Sequence, residues 1–141
     1  MGRIDESVWE DLVAEARVAS KNAYCPESGL AVGAALLMPD GRMVPGSNVE
    51  NASFGLTNCA ERTAVFSAVT GGLKPGEARA IAVYTPTLEP VSPCGACRQV
   101  MSEFFSPRGR VRAVCDGPEI KEWTVSDLLP DAFTFRKAGD G

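Results

Sequence analysis

The sequence predicts an α/β fold, a three-layer α/β/α sandwich with a mixed sheet of about five strands. Two observations predict it. Segments with helical periodicity alternate with short apolar segments, in the order helix, strand, strand, helix, strand, helix, strand, and turns rich in glycine or proline punctuate that order. Because 141 residues is the size of one ordinary domain, we expect a single domain over residues 1–141.

The first part of the chain predicts a helix followed by a β-hairpin. Apolar residues recur at helical spacing over residues 5–23, and Asp5 or Ser7 can cap the start of this helix. A continuous apolar segment, residues 30–38, is separated from residues 43–48 by a Pro-Asp-Gly turn. Two such segments around a tight turn are typical of paired antiparallel strands.

The middle of the chain predicts a second helix and a third strand. Residues 59–69 have the pattern of a helix, which two consecutive glycines, Gly71 and Gly72, bring to an end. Residues 79–85 are rich in Ile, Val and Ala, which is typical of a buried strand.

The last part of the chain predicts a third helix, a strand and a short helical turn. Ser92 is suited to the N-cap and Pro93 to the first position of a helix over residues 94–105. Residues 111–115 have the pattern of a strand, and residues 125–129 that of a short closing helical turn. Helices that alternate with strands in this way pack on the faces of a mixed sheet.

The charge and the cysteine content argue against several classes of function. The net charge is −4 and the pI about 4.9, so the chain lacks the basic stripe that binds polynucleotide phosphates. No segment reaches the roughly 20 apolar residues that a membrane span needs. Five cysteines, an odd number without a signal-peptide pattern, favour a reducing compartment and metal binding. We expect a cytoplasmic protein that binds neither nucleic acid nor membrane.

A cluster of cysteines is the first candidate site. Cys94 and Cys97 form a C-G-A-C motif at a predicted helix start, and this spacing lets both thiolates reach one zinc ion at about 2.3 Å. A redox motif or two small buried residues would explain the pair equally well. Cys59 begins the other central helix, so two helix N-termini would bring three thiolates together and stabilise their charge. Three ligands leave a fourth position for water, as in catalytic zinc sites.

Glu61 is the candidate acid–base residue. It follows Cys59 by two residues, which is close enough to hydrogen-bond a water at the metal without being a ligand. The alternative is a capping box, in which Asn58 and Glu61 bind backbone amides and Glu61 has no chemical role. The segment alone does not decide between the two. Together, C-A-E and P-C-G-A-C match the signature of the zinc deaminases, in the variant with cysteine in place of histidine.

Several motifs occur in one order across most of the chain. They are A-V-G-A-A-L at residues 31–36, G-S-N-V-E-N-A-S-F-G at 46–55, C-A-E-R at 59–62, S-P-C-G-A-C-R-Q-V at 92–100 and L-L-P-D-A-F at 128–133. In these motifs the chain resembles the cytidine deaminases of the small homotetrameric type. The resemblance implies an α/β sandwich, one zinc ion per subunit, a homotetramer, and the hydrolytic deamination of cytidine and deoxycytidine to uridine and deoxyuridine in pyrimidine salvage.

The same resemblance assigns roles at the metal, residue by residue. It implies that Cys59, Cys94 and Cys97 are the zinc ligands and that Glu61 is the proton shuttle. It also implies that Arg62 hydrogen-bonds a ligand sulfur, which offsets the net negative charge of zinc with three thiolates.

For the substrate, a pyrimidine nucleoside, the resemblance assigns the ribose to Asn48 and Glu50. It places the Ala60 backbone amide at the pyrimidine carbonyl and Leu30 against the base. Without the resemblance, Asn48 and Glu50 would be read as an exposed polar loop after a strand.

Phe54 and Phe133 are implied as contributors to the active site of a neighbouring subunit, the alternative being that both are core aromatics. Three positions depart from the family pattern: Leu30 replaces a common phenylalanine, Glu27 a tyrosine, and Phe54 a frequent tyrosine. Leu30 matters most, because an aliphatic side chain covers the base without the aromatic contribution of roughly 0.5–1.5 kcal/mol.

Alternative functions remain at this point. Nucleotide or nucleic-acid deaminases with a His-Cys-Cys site are excluded because the chain contains no histidine. Deamination of a nucleoside antibiotic such as blasticidin is disfavoured by the N-V-E-N segment, which suits ribose hydroxyls. A non-catalytic domain with structural zinc needs a fourth ligand, which Cys25 or Cys115 would have to supply. Otherwise these two cysteines are expected to be small core residues.

Overall fold

Helices and strands alternate along residues 3–135, the part of the chain that the computed structural model describes. The helices there are α1 (Glu6–Ser20), α2 (Ala60–Thr70), α3 (Gly95–Phe104) and α4 (Val125–Leu128), with a 3₁₀ turn at Phe54–Leu56. The strands are β1 (Gly33–Leu37), β2 (Met43–Ser47), β3 (Ala78–Tyr84), β4 (Phe105–Val114) and β5 (Lys121–Thr124). No helix among these is long and apolar enough to cross a membrane.

The strands form one mixed sheet in the order β2-β1-β3-β4-β5. β1 is antiparallel to both neighbours, with Gly33 opposite Ser47 on one side and opposite Tyr84 on the other. β3 and β4 are parallel, and α3 provides the crossover that parallel neighbours require. β5 returns antiparallel to β4 and closes the edge. The sheet is therefore mixed and has β3 at its centre.

Helices cover both faces of this sheet. α1 packs on one face, where Ala35 and Leu37 of β1 belong to the apolar cluster that it covers. α2, α3 and α4 lie on the other face, where Ala34 and Leu36 of the same strand enter a second cluster. Successive side chains of a strand point to opposite faces, so β1 contributes to both clusters. The predicted three-layer sandwich is confirmed.

Two glycines allow the helices to approach the sheet closely. A Cβ atom on Gly33 would lie 1.8 Å from the Ala16 carbonyl oxygen of α1. A Cβ atom on Gly46 would lie 2.4 Å from the Ala64 nitrogen and 2.5 Å from the Ala60 oxygen of α2. Because any larger residue would collide with backbone atoms, Gly46 sets the distance between β2 and α2, the helix that Cys59 caps.

The start of α3 differs from the prediction. Cys94 is the N-cap, with an extended backbone at φ −69° and ψ 167°, and the helix begins at Gly95. Ser92 and Pro93 precede the helix, so their predicted roles as N-cap and first helical residue are wrong. The extended conformation of Cys94 keeps its thiol at the helix terminus.

Element boundaries also differ in the last part of the chain. β4 begins at Phe105, six residues before the predicted strand, because Phe105 pairs with Ala78 of β3; residues 106–109 lie within an irregularity in register, and regular pairing with β3 resumes at Arg110. β5 does not figure in the predicted order of elements. Its four residues are polar or aromatic and are exposed or half-buried, so they lack the apolar pattern of the other strands.

Arg112 joins α1 to the β4–β5 edge of the sheet. Its guanidinium donates to Glu6 at 2.8 and 3.1 Å and to Glu122 at 3.0 Å, and it lies 4.5 Å from the centre of the Trp9 ring. A cavity of about 510 Å³ beside this group is lined by these four residues and by further arginines. Since α1 and this cavity lie on the face opposite α2, the ion pairs are separate from the cysteine cluster.

Candidate metal centre and active site

Three cysteine side chains converge where α2 and α3 begin. Cys59 is the N-cap of α2, Cys94 is the N-cap of α3, and Cys97 lies in the first turn of α3. Their Sγ atoms all lie within 4.8 Å of one another. The structure therefore brings together the three residues that the sequence predicts as metal ligands, and it does so at two helix N-termini, as expected.

The cluster fits a tetrahedral zinc ion. Two zinc–sulfur bonds of about 2.3 Å at a tetrahedral angle separate the sulfur atoms by about 3.8 Å. The Sγ atoms of Cys59 and Cys94 are 3.8 Å apart. Thiolates are ligands that zinc accepts and that magnesium and calcium do not favour. Over residues 3–135 no fourth metal-binding side chain joins the cluster, so one zinc ion per subunit would keep a coordination position free of protein.

Arg62 offsets part of the negative charge of the cluster. Its Nη2 donates to Cys59 Sγ at 3.4 Å. Hydrogen bonds from Cys97 and Arg62 lower the pKa of Cys59 to about 5, and the bond to Cys59 raises the pKa of Arg62. The hydrogen bond to Cys59, together with burial, raises the pKa of Cys97. The contact expected between Arg62 and a ligand sulfur is therefore present in the structure.

Glu61 lies in the first turn of α2 and is 6% exposed. Burial, with a contribution from the neighbouring Cys59 charge, raises the pKa of its carboxyl to about 7. A carboxyl with that pKa can both accept and donate a proton near neutral pH. The N-cap of α2 is Cys59, and the Asn58 side chain donates to Thr63 instead. The capping box of Asn58 with Glu61 is therefore not formed.

Asn48 lies in the segment after β2 and is 9% exposed. Its amide nitrogen donates to the Leu30 carbonyl oxygen at 2.8 Å, and its amide oxygen accepts from the Val32 nitrogen at 2.8 Å. The next residue, Val49, forms isolated β-bridges with Tyr24 and with Asn58. The segment that carries Asn48 therefore runs between the loop before β1 and the start of α2.

Glu50 follows in the same segment and is 8% exposed. Its Oε1 accepts from the backbone nitrogens of Glu27 at 2.9 Å and Ser28 at 3.2 Å, and its Oε2 accepts from Ser28 Oγ at 2.5 Å. These bonds, that of the Ser28 hydroxyl first, lower the pKa of Glu50, so the carboxylate is ionised at neutral pH. Both Asn48 and Glu50 are buried, and the alternative of an exposed polar loop is wrong for them.

The two other residues predicted to touch substrate lie on either side of this segment. Ala60 is fully buried in the first turn of α2 beside Cys59. Leu30 is exposed, and its backbone carbonyl is the group that Asn48 holds. The contacts of Leu30 and of the Ala60 amide with a base remain predictions.

Phe54 and Phe133 are both on the surface of the chain, at 73% and 67% exposed. The alternative that they are core aromatics is therefore wrong. Phe133 stacks edge-on against Phe135 at 5.4 Å between ring centres. Gln99 on α3 donates to the Phe133 carbonyl oxygen at 3.0 Å, which fixes the backbone of this segment.

The sequence does not predict the hydrogen bonds by which three residues hold the segments around the site: Ser28, Arg98 and Gln99. Arg98 donates to the carbonyl oxygens of Pro93 and Leu128 at 2.8 and 3.1 Å, so it ties the start of α3 to α4. These partners lie up to 34 residues away in the chain. A local pattern therefore gives no hint of them, and each residue looks like an ordinary surface residue.

The remaining cysteines lie outside the metal cluster. Cys115 is buried, as predicted, with its thiol among the carbonyl oxygens of Leu88, Gly117 and Glu119 at 3.6 Å each. Cys25 is half-buried and belongs to neither apolar cluster, so the prediction of a core residue is wrong for it. Since neither thiol joins the other three, the structure offers no fourth cysteine ligand.

Comparison with known proteins agrees with this geometry. Residues 7–112 match the family model of the cytidine and deoxycytidylate deaminase zinc-binding region. A cytidine deaminase of Halalkalibacterium halodurans is 51% identical, over 92% of this chain and 96% of that protein. One of Sporosarcina psychrophila is 48% identical, over 89% and 90% of the two chains. The crystal structure of a cytidine deaminase from Burkholderia pseudomallei superposes with a TM-score of 0.85 at 50% identity, over 88% of this chain and 98% of that one. The chain belongs to the cytidine deaminase family.

Proposed function

We propose that this protein hydrolyses the exocyclic amine of cytidine and deoxycytidine, giving uridine or deoxyuridine and ammonia in pyrimidine salvage. The observation that carries the proposal is the buried carboxyl of Glu61. It lies in the first turn of α2, next to Cys59, which is one of the three clustered cysteines. When bound there, zinc supplies a Lewis acid that brings the pKa of a water molecule down towards neutrality.

Glu61 is the proton carrier in this proposal. Its carboxylate takes a proton from the attacking water and delivers it to N3 of cytosine as C4 becomes tetrahedral. It then carries the second proton to the amine, which leaves as ammonia while C4 becomes the uracil carbonyl. A pKa of about 7 suits both halves of this task, because neither protonation state of Glu61 is strongly disfavoured near neutral pH.

Asn48 and Glu50 are proposed to face the ribose. The Glu50 carboxylate is ionised and accepts hydrogen bonds only, so it is proposed to bind the 3′-hydroxyl of the sugar and disfavours a phosphate at the same place. The Asn48 amide fixes the backbone of Leu30, which is proposed to cover the base. The Ala60 backbone amide, one residue from Glu61, is proposed to bind the pyrimidine carbonyl.

A homotetramer is proposed as the working form, with Phe54 and Phe133 reaching the active site of a neighbouring subunit. Support comes from their exposure, since large aromatic side chains at 73% and 67% exposure are candidates for an interface. The cytoplasm is proposed as the location because the five cysteines form no disulfide among the described residues and three of them serve the metal.

The test is turnover by the zinc-loaded protein. Incubation with cytidine should change the absorbance towards that of uridine and release one ammonia per nucleoside, while blasticidin S should be a poor substrate. Turnover of blasticidin S in preference to cytidine would replace the proposed substrate with a nucleoside antibiotic. Stoichiometric zinc without turnover of either compound would leave a structural zinc domain, although three protein ligands argue against that.

A further inference from the structure

We propose that Ser28 is a positioning residue for the sugar, acting through Glu50 to set which carboxylate lone pair is offered to the nucleoside. This inference rests on the proposed function and deepens it, because Ser28 itself is not proposed to touch the substrate. Three donors hold the Glu50 carboxylate, and Ser28 provides two of them, its backbone nitrogen and its hydroxyl.

The Glu50 carboxylate has few hydrogen-bond acceptor positions left for a substrate. An ionised carboxylate has about four lone-pair positions, two on each oxygen. Oε1 of Glu50 takes the backbone nitrogens of Glu27 and Ser28, and Oε2 takes the Ser28 hydroxyl at 2.5 Å. Among the donors of the described residues this leaves one position, on Oε2. A sugar hydroxyl that binds Glu50 therefore meets a single acceptor of fixed direction.

The direction of the Ser28 hydroxyl is also determined. Its oxygen lies 3.0 Å from the Leu30 backbone nitrogen, which can only donate. Its proton therefore goes to the Glu50 carboxylate, which can only accept. The hydroxyl is thus a fixed link from the Leu30 backbone to Glu50, and a side chain without it breaks both contacts at once.

Asn48 holds the same loop from the other side. Leu30 gives its nitrogen to Ser28 and its carbonyl oxygen to Asn48, so both of its backbone groups are bonded to the network around the proposed sugar site. Loss of the Ser28 hydroxyl leaves the Asn48 bonds in place. The Leu30 amide loses its acceptor, but Leu30 stays held through its carbonyl oxygen, so the main expected effect is on the orientation of the Glu50 carboxylate, and the fold and the metal centre should be unaffected.

The experiment compares Ser28→Ala and Ser28→Thr with the wild-type enzyme on cytidine and on 3′-deoxycytidine, which lacks the hydroxyl that Glu50 is proposed to bind. Ser28→Ala should lower kcat/KM for cytidine roughly tenfold, mainly through KM, as expected for one weakened hydrogen bond. Its kcat/KM for 3′-deoxycytidine should stay within about twofold of the wild-type value. Ser28→Thr keeps the hydroxyl and should restore most of the loss.

A double-mutant cycle adds a readout that a purely structural role would not reproduce. In a Glu50→Gln background, Ser28→Ala should cost little further on cytidine, because the two residues act as one unit. Ser20→Ala is the matched control, since its buried hydroxyl donates only to the Arg17 carbonyl oxygen of α1. That variant should leave both substrates unaffected.

Equal losses on cytidine and 3′-deoxycytidine would overturn the proposal and make Ser28 a structural residue of the loop. An unchanged kcat/KM for cytidine in Ser28→Ala, or additive losses in the double variant, would overturn it as well. A wild-type protein that turns over neither nucleoside would overturn the proposed function itself, and the Ser28 proposal with it. The two failures are therefore distinguished by the wild-type rate.

Discussion

At the scale of single residues, the assignment of Glu61 is the most direct to test. Glu61→Gln preserves the shape of the side chain and removes its capacity to carry a proton, so kcat should fall by about 10²- to 10⁴-fold or more while zinc content stays at one ion per chain. Metal analysis and steady-state rates on the same sample measure both. Glu103→Gln, an exposed carboxylate on α3, is the control. Near-normal turnover in Glu61→Gln would refute the mechanism.

The ribose assignment makes a second prediction at this scale. Glu50→Gln should reduce kcat/KM for cytidine by about 10- to 100-fold, since a charge-assisted hydrogen bond is worth roughly 1.5–3 kcal/mol. It should also narrow the discrimination against 3′-cytidylate, because the repulsion between carboxylate and phosphate is gone. Glu27→Gln is the control, because Glu27 contacts Glu50 through its backbone nitrogen. Equal wild-type efficiency on cytidine and 3′-cytidylate would place Glu50 away from the sugar.

Residues of the site differ in how far the sequence predicts them. Local sequence groups Cys59 with Glu61 and Cys94 with Cys97, because each pair stands at a short spacing within one motif, whereas the family resemblance joins the two motifs. The role of Ser28 depends on Glu50, 22 residues away, and on the pairing of Val49 with Tyr24 and Asn58. No periodicity encodes such a contact, because it exists only once the loop has folded over the segment after β2.

At the scale of elements, the distance between α2 and β2 is set by Gly46. Gly46→Ala should push the helix from the sheet, because the added Cβ meets backbone atoms at 2.4 and 2.5 Å that cannot rotate away. We expect the free energy of unfolding to fall by about 1–3 kcal/mol or more, with weaker zinc binding as Cys59 moves with its helix. Chemical denaturation and metal titration measure the two effects.

Gly71→Ala provides the comparison for this prediction. Gly71 ends α2 with an ordinary φ of −81°, and an added Cβ would meet its nearest neighbour, the Ala68 oxygen, at 3.4 Å. The free energy of unfolding of the Gly71→Ala variant should change little. If both variants were equally stable, close approach at Gly46 would not determine the position of α2.

The sequence predicts an element correctly where its apolar pattern is strong. It fails where contacts with a neighbouring element determine the conformation. β1 and β3 are buried strands and follow from composition. The first half of β4 contains Ser, Pro, Arg and Gly and is half-buried or exposed for most of its length, so composition gives no strand signal before regular pairing with β3 begins at Arg110. The predicted N-cap of α3 is two residues too early, because Cys94 has the extended backbone of an N-cap and the helix begins at Gly95.

At the scale of the whole molecule, the layer order follows from the alternation of helices and strands, whereas the strand order β2-β1-β3-β4-β5 does not. A pattern along the chain gives the faces of each strand but not its neighbours. The extent of the domain over residues 1–141 and the oligomeric state remain predictions.

The proposed homotetramer should have a mass of about four chains of 14.9 kDa in light scattering. Phe54→Asp places a charge on the proposed interface and should shift the mass towards smaller species with a loss of activity. Val18→Asp is the control, because Val18 is exposed on α1, which lies on the face of the sheet opposite α2. A wild-type monomer with full activity would exclude residues borrowed between subunits.

The position of the cysteines at two separate helix starts has a consequence for stability. Cys59 and Cys94 are 35 residues apart in the chain, so a zinc ion that binds both acts as a cross-link between α2 and α3. Free zinc at 100 times its dissociation constant should stabilise the native state by about 2.7 kcal/mol, and a chelator should lower Tm accordingly. Cys97→Ser should lose most of this dependence and Cys25→Ser should keep it. The ion that activates water would then also join two elements of the fold, so limiting zinc would reduce the amount of folded enzyme as well as its rate.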